Sequence, residues 1–342
     1  MLGFMMNHRT IRVGALAPLS RPGFLEAGRH IRAGVELAVT EINEAGGVDG
    51  RPLELLLRDT AGTPARAADA VRAFVDEGAV AVVGEYHSVV AHAAAGVAVE
   101  VGLPFVCSSA VLDAVVDAPT DMVARIAPAQ SYCWRVYADF LVAAGYREVA
   151  LVVQPDLYWS SGARVLKASL AERGVAVSVV EFDAWVVDAL VADVVLLLVG
   201  YPEPAVSLVK AVRADPRLAG VRIGDPAGRV EFPEWAGLVG EAGADIPFLR
   251  YMPPELPPLG VRVAEGLAGL LGERPSFVAF EGYDAVQVVA EALRVGGLDR
   301  RGAAAGLGSP GLRVAGTRGT IGFSRDVGDV LQWAWPPVHV AA

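Results

Sequence analysis

The sequence predicts an α/β fold of two lobes, each a parallel sheet flanked by helices, and three observations carry that expectation. From Ile11 onward, short apolar runs alternate with helix-period patterns. Strands that read as continuous apolar runs are buried on both faces, which implies a sheet sandwiched by helices. The chain has 342 residues, enough for two cores at ~100–200 residues per domain. The rhythm is also broken twice by segments that read as extended crossings between lobes.

In the first lobe Ile11–Ala17 reads as a strand and Glu26–Ala45 as a helix, with Ile31, Val35, Ala38, Val39 and Ile42 at helical spacing. Leu53–Leu57 is the next strand and Pro64–Glu77 the next helix; Val80–Val83, Val89–Val101 and Pro104–Val106 repeat the theme. After the extended segment MVARIAPAQ a second unit begins near Gln130. It has helix 130–144, strand Val149–Val153, helix 160–173, strands Val175–Val180 and Val194–Val199, helix 203–214 and a short strand near Val221–Ile223. Pro247–Pro258, with five prolines in twelve residues, is the second crossing, because proline favours extended, poorly hydrogen-bonded backbone. Helices at Gly260–Leu271 and Ala279–Arg294 and a strand-rich tail then suggest a return to the first lobe. Discontinuous lobes joined by several strands make a hinge that restricts motion to opening and closing.

Composition excludes several functions. The balance of 29 basic against 39 acidic residues, without a basic stripe, is poorly suited to a phosphate backbone, so no nucleic-acid partner is expected. The most apolar stretch, Trp185 to Tyr201, is interrupted by Asp188 and Asp193 and is short of the ~20 residues that a membrane span needs. The opening MLGFMMNHRT lacks the apolar run of an export signal. Cys107 and Cys133 have no metal-ligand spacing and read as two buried thiols. No phosphate-binding glycine fingerprint and no nucleophile elbow appears; GLGSPG at 306–311 lacks the spacing. His87 and His92 would diverge by ~140° on a helix, so they cannot share a metal. Glu85 can pair with His87, which is far from a catalytic triad. No cofactor and no catalytic set is expected.

Six stretches carry more detail. AGVELAVTEINEAGGVDGRPLELLLRD, residues 33–59, ends a helix in Asn43, Gly46 and Gly47 and turns at Gly50 into the second strand. Glycine past a helix end closes orphan carbonyls in the left-handed conformation, so this motif builds the fold without touching a ligand. VVGEYHS, residues 82–88, leads a strand into a helix start, where backbone N–H groups can accept an anion or a carbonyl oxygen. Ser88 there is either a ligand contact or the helix cap. PFVCSSAVLD, residues 104–113, follows the fourth strand. Tyr158 and Tyr201 follow the strands ending at Val153 and Val199, Tyr158 sharing its loop with Asp156 and Trp159. Such tyrosines are ordinary core-edge residues or offer wide apolar contact with one polar tip to a small amphipathic molecule. IGDPAG, residues 223–228, holds Asp225.

Together these stretches resemble the type I periplasmic binding-protein family, in the branch of the leucine/isoleucine/valine receptors and the amide and urea binders. The resemblance runs from Ile11 to about Pro336. It implies a first lobe of residues 10–127 and 251–320, a second of 128–250 and 321–342, and three hinge crossings. It places Ser88 at the ligand. Ser109 or Ala110 falls on the turn that completes the polar-head site, and Tyr158 and Tyr201 close over the ligand. Asp225 is the acid nearest the family's ammonium partner, displaced in register. Tyr86-x-Ser88, DTAGTP at 59–64 and the tail VLQWAWPPV look like the amide-binding sub-branch. Where amino-acid receptors carry a threonine this chain has Val111. An unpaired buried carboxylate oxygen costs on the order of 1–3 kcal/mol, which argues against a standard amino-acid ligand.

The resemblance thus implies a non-catalytic solute-binding protein that captures a small amino-acid-like or amide-like ligand and hands it to an ABC permease. By family its place is the cell envelope or outside the cell, while the missing export pattern leaves the cytoplasm open. A cytosolic amide sensor acting on a partner protein is the alternative on the same fold. An enzyme on the same architecture is the third reading.

Overall fold

A computed structural model of the chain describes residues 10–182, 191–324, 330–334 and 336–342. They divide into two compact units, the first running to Ala110 and including Ala114–Ala127 and Leu256–Pro336, the second comprising Val111–Asp113, Pro128–Glu255 and Pro337–Ala342.

The first unit opens with β1 (Ile11–Ala17), α1 (Leu25–Glu44), β2 (Leu53–Asp59), α2 (Pro64–Asp76), β3 (Ala81–Gly84), α3 (Ser88–Val101), β4 (Phe105–Cys107) and β5 (Val123–Arg125). All five strands run parallel. Their apolar sequences follow from burial: β3 and β4 are buried throughout, and β1 everywhere except Arg12. After α1 the chain turns through Gly47, at φ +80°, where a Cβ would meet the Arg51 carbonyl at 2.2 Å. Asn43 fixes the same turn, its side chain exchanging hydrogen bonds with the backbone N–H (2.7 Å) and carbonyl (2.9 Å) of Leu53. Helix α3 begins one residue earlier than the sequence suggests. His87 holds the cap position without a side-chain bond and Ser88 is the first helical residue, so the cap reading of Ser88 does not hold.

The second unit contains α4 (Gln130–Ala143), β6 (Glu148–Val153), α5 (Leu157–Ala171), β7 (Ala176–Glu181), β8 (Val194–Leu198), α6 (Ala205–Ala214), β9 (Arg222–Gly224), α7 (Glu234–Val239) and β10 (Phe248–Arg250). Four of its strands form a parallel sheet in the order β7-β6-β8-β9. Its core joins Val195 and Leu197 of β8 to Val209, Val212, Ile223 and Trp235. Part of the apolar stretch from Trp185, residues 185–190, lies outside the described residues, whereas β8 is buried along its whole length. Among the described residues no helix is long and apolar enough to cross a membrane. Val111–Asp113 belong to this unit because α4 binds them: the Gln130 N–H donates to the Val111 carbonyl (2.7 Å) and the Ser131 N–H to Asp113 (2.9 Å).

The chain then returns to the first unit with α8 (Pro258–Leu271), α9 (Phe277–Gly296), α10 (Arg300–Leu307), β11 (Val314–Gly316), β12 (Gly319–Ile321), β13 (Phe323–Ser324) and β14 (Leu331–Trp333); β15 (His339–Ala341) pairs with β10 of the second. Helix α9 lies against α1 so closely that a Cβ on Gly34 would sit 2.0 Å from the Ala279 carbonyl. The complete first sheet has the order β13-β14-β5-β4-β3-β1-β2. Residues 321–336 therefore join the first unit, where the sequence reading gave everything from 321 to the second; residues 251–255 likewise fall in the second unit instead of the first.

Hydrogen bonding explains why the tail stays. Strand β14 pairs in parallel with β5, and Gln332 accepts from Arg125 Nε (2.6 Å) while donating to the Ala127 carbonyl (2.8 Å). Beside it Arg318 is buried between Glu281 (2.9 Å) and Asp284 (3.6 Å) and lies over the Trp333 ring. Burial pushes the Asp284 carboxyl up to about 6 against the opposing pull of Arg318 and Thr317. Leaving any of these polar groups buried without partners would be costly, so the tail and α9 are held as one body.

Candidate ligand-binding site

In an open parallel sheet, ligands bind beyond the carboxyl ends of the strands where the strand order reverses. In the first unit that point lies between β1 and β3, since the chain winds outward from there to β2 on one side and to β4 and β5 on the other. The loop after β1 is tied down by Asp59 at the end of β2. Its carboxylate accepts from the N–H groups of Leu19 (2.8 Å), Ser20 (3.1 Å) and Ala61 (2.8 Å) and from the Ser20 hydroxyl. Burial works against that charge, but these hydrogen bonds hold Asp59 below the usual carboxylate range. The loop ends in Phe24, whose ring lies 5.6 Å from that of Tyr86 in the turn after β3.

That turn is built on Glu85, which is fully buried. One of its oxygens accepts from the N–H groups of Tyr86 (2.9 Å) and His87 (3.0 Å) and faces His87 Nδ1 at 3.3 Å; the other accepts from the Thr60 hydroxyl (2.7 Å). Tyr86 is half-buried, and Ser88, at 8% exposure, opens α3. The turn after β4 adds Ser108 and Ser109, whose hydroxyls lie 3.1 Å apart, and Ala110; all three are buried. Cys107 beneath them gives its thiol to the Ala110 carbonyl (3.5 Å), and burial pushes that thiol up to about 12. It is an inert thiol and not a nucleophile. Cys133 is likewise buried, its thiol donating to the Gln130 carbonyl (3.5 Å). The first unit thus brings Tyr86, Ser88, Ser109 and Ala110 to one edge of its sheet.

In the second unit the order reverses between β6 and β8, and the two following loops are linked: the Gly200 N–H donates to the Gln154 side chain at 2.8 Å. Asp156 caps α5 by accepting from the Trp159 N–H (2.8 Å), which separates its role from its neighbours'. Tyr158 is half-buried, 4.6 Å from the Trp159 ring and 5.8 Å from the Trp134 ring. Tyr201, also half-buried, stacks on Phe232 (6.2 Å) and Trp235 (5.9 Å). Asp225 departs from expectation. It is 1% exposed and paired with Arg229 (2.9 Å), and it also accepts from the N–H groups of Ala227 and Val230. Arg229 in turn donates to the carbonyls of Leu197 and Val199 at the end of β8 and lies over the Trp159 ring. A carboxylate so occupied is a structural anchor, and the ammonium-partner reading of Asp225 is withdrawn.

Sequence reasoning missed Asp59, Glu85, Gln154 and Arg229 as organisers of these loops. Two signals were present: an acid directly after an all-apolar strand at Glu85, and the four-residue spacing of Asp225 and Arg229. Among the described residues one trio of possible metal donors, Glu26, His30 and Glu273, brings its ligand atoms within 4.8 Å. The trio does not fit a metal. The Ser276 N–H donates to His30 Nδ1 (2.9 Å), so the proton of the neutral ring sits on Nε2, facing Glu273 at 3.1 Å. His87 and His92 are engaged separately, His92 with the Ala114 carbonyl (2.8 Å).

Two parallel α/β units whose strand-end loops carry hydroxyls and aromatic rings define the class of two-lobed solute binders. The chain belongs to the Periplasmic binding protein family, whose model it matches over residues 10–335. Members of this family are solute-binding proteins. The chain is 30% identical over 177 residues to the Leu/Ile/Val-binding protein BraC3 of Rhizobium johnstonii, covering 50% of this chain and 46% of that protein. It thus spans about half the length of the curated relatives it matches. Its fold is similar to that of the leucine-binding protein LivK of Thermotoga maritima, with a TM-score of 0.81 at 22% identity over 97% of this chain and 98% of that one. It is also similar to an R. palustris ABC-transporter solute-binding protein in complex with benzoate, with a TM-score of 0.77 at 21% identity over 92% and 89%.

Proposed function

We propose that this protein is the solute receptor of an ABC uptake system, taking a small molecule with an apolar body and one polar head. The observation that carries the reading is local to each sheet. At the carboxyl edge, where strand order reverses, the first unit holds Tyr86, Ser88 and the Ser109–Ala110 turn, and the second holds Tyr158 and Tyr201. In this reading the hydroxyls and the α3 amides hold the polar head, and the two tyrosines cover the apolar body. A ligand that touches both units favours the closed arrangement and shifts the population towards it. The membrane permease is its partner.

The ligand needs no ammonium group. Asp225, the acid in the matching turn, is consumed by Arg229, and Val111 replaces the family's threonine. The benzoate held by the R. palustris relative has no ammonium either, while the curated relatives are named for leucine, isoleucine and valine. A thermal-shift screen over amino acids, amides, ureas and aromatic acids tests the proposal. A ligand present at 100 times its Kd adds ~2.7 kcal/mol of stability, so a true ligand raises the melting temperature measurably. No shift with any of these classes, or conversion of a compound to product, would contradict it.

A further inference from the structure

The receptor reading places the ligand's polar head beside the 85–88 turn, and that turn encloses a negative charge. Every hydrogen bond found at Glu85 from a backbone N–H or hydroxyl is one that it accepts: Tyr86 N–H, His87 N–H and Thr60 Oγ1. Such a set suits a carboxylate, an acceptor-only group. Among the described residues the ion pair found at Glu85 is with His87, which carries charge only when protonated. The buried arginines of this unit are engaged elsewhere, Arg318 with Glu281 and Asp284 and Arg125 with Gln332. Among the described residues no arginine or lysine forms an ion pair with Glu85.

We propose that Glu85 is the charge-selecting residue of this receptor, disfavouring an anionic head group so that the ligand's head is neutral, of the carboxamide or urea class. The proposal rests on the receptor reading above. A head group bound to the Ser88 amide lies two hydrogen-bond lengths and one backbone step from the Glu85 carboxylate, roughly 6–8 Å. At an effective dielectric near 20, two like charges at that distance cost about 30-fold to 100-fold in affinity. A carboxamide avoids the repulsion and keeps the hydrogen bonds, because the hydroxyls of Ser88, Ser108 and Ser109 can each donate or accept. Glu85 also takes up the two amides just ahead of Ser88, donors that would otherwise attract an anion to the start of α3.

Matched probes test this on the full chain: isobutyramide against isobutyrate and benzamide against benzoate, titrated calorimetrically at pH 8 where both acids are ionised. The wild type is expected to bind the amide of a pair at least 10-fold more tightly than the acid. Glu85→Gln should bring that ratio to within about threefold of unity, while Glu85→Asp, which keeps the charge, should preserve the preference. Equal or tighter binding of the acids by the wild type would overturn the proposal, as would an unchanged ratio in Glu85→Gln. The wild-type ratio decides by itself should that variant fail to fold. Binding of neither member of either pair, together with a blank screen across the wider classes, would overturn the receptor reading and this inference with it.

Discussion

The Asp225–Arg229 pair shows how a buried charge beside a candidate site can be structural. Its guanidinium joins three pieces of the second unit: the carboxylate of Asp225, the carbonyls ending β8, and the ring of Trp159. Removing one partner strands the other in a site of 1% exposure, which costs about 3–5 kcal/mol. Arg229→Met should therefore lower the urea-unfolding free energy by about that amount, and a loss below about 1 kcal/mol would contradict the anchor role. Residues of this kind are where the sequence was least legible. Ser88, Tyr158 and Tyr201 stand out because they end apolar strands or open helices. Whether Asp225 faces a ligand or an arginine depends on a side-chain direction that spacing leaves open. The fully buried position of Glu85 was hidden for the same reason: a charged residue in a turn ordinarily reads as solvated.

At the scale of elements, α4 and α5 approach most closely where Trp134 faces Gly162. A Cβ on Gly162 would lie 1.8 Å from the buried Trp134 ring, so glycine is what lets the indole seat against α5. Gly162→Ala should force the ring aside and destabilise the protein by ~1–3 kcal/mol, measurable as a lowered thermal midpoint. An unchanged midpoint would mean that the ring has another place to go. The long helices and strands β1 to β4 and β6 to β9 were legible in the sequence, because apolar runs and helical periods report burial directly, whereas β5 and β10 lay in segments read as crossings. Boundaries were less legible. Helix α5 starts at Leu157 because Asp156 caps it, and α3 starts at Ser88 with no side-chain cap to announce it. Residues 321–336 were given to the other unit because strands of two or three residues carry too little pattern to show which sheet they extend.

At the scale of the whole molecule, the buried group formed by Glu281, Asp284, Arg318 and Gln332 gives stability a pH dependence. Asp284 titrates at about 6 when folded, above its ordinary 3.8, so it favours the folded state most at low pH. That contribution falls as pH rises from about 4 to about 6 and is level above, a change of about 3 kcal/mol at most. Asp59, Glu41 and Glu273 are shifted the other way, and their contributions are lost as pH falls. Subtracting the curve of Asp284→Asn from that of the wild type isolates the first effect; a flat difference between pH 4 and 6 would refute it. The proposed function, capture of one small solute, is tested most directly by calorimetric titration of the strongest binder from the screen. Wild type, Ser88→Ala and Tyr158→Ala would be compared, one variant from each unit. The account expects one-to-one binding by the wild type and at least 10-fold weaker binding by both variants, with unliganded melting points close to wild type. Wild-type affinity in either variant would contradict it.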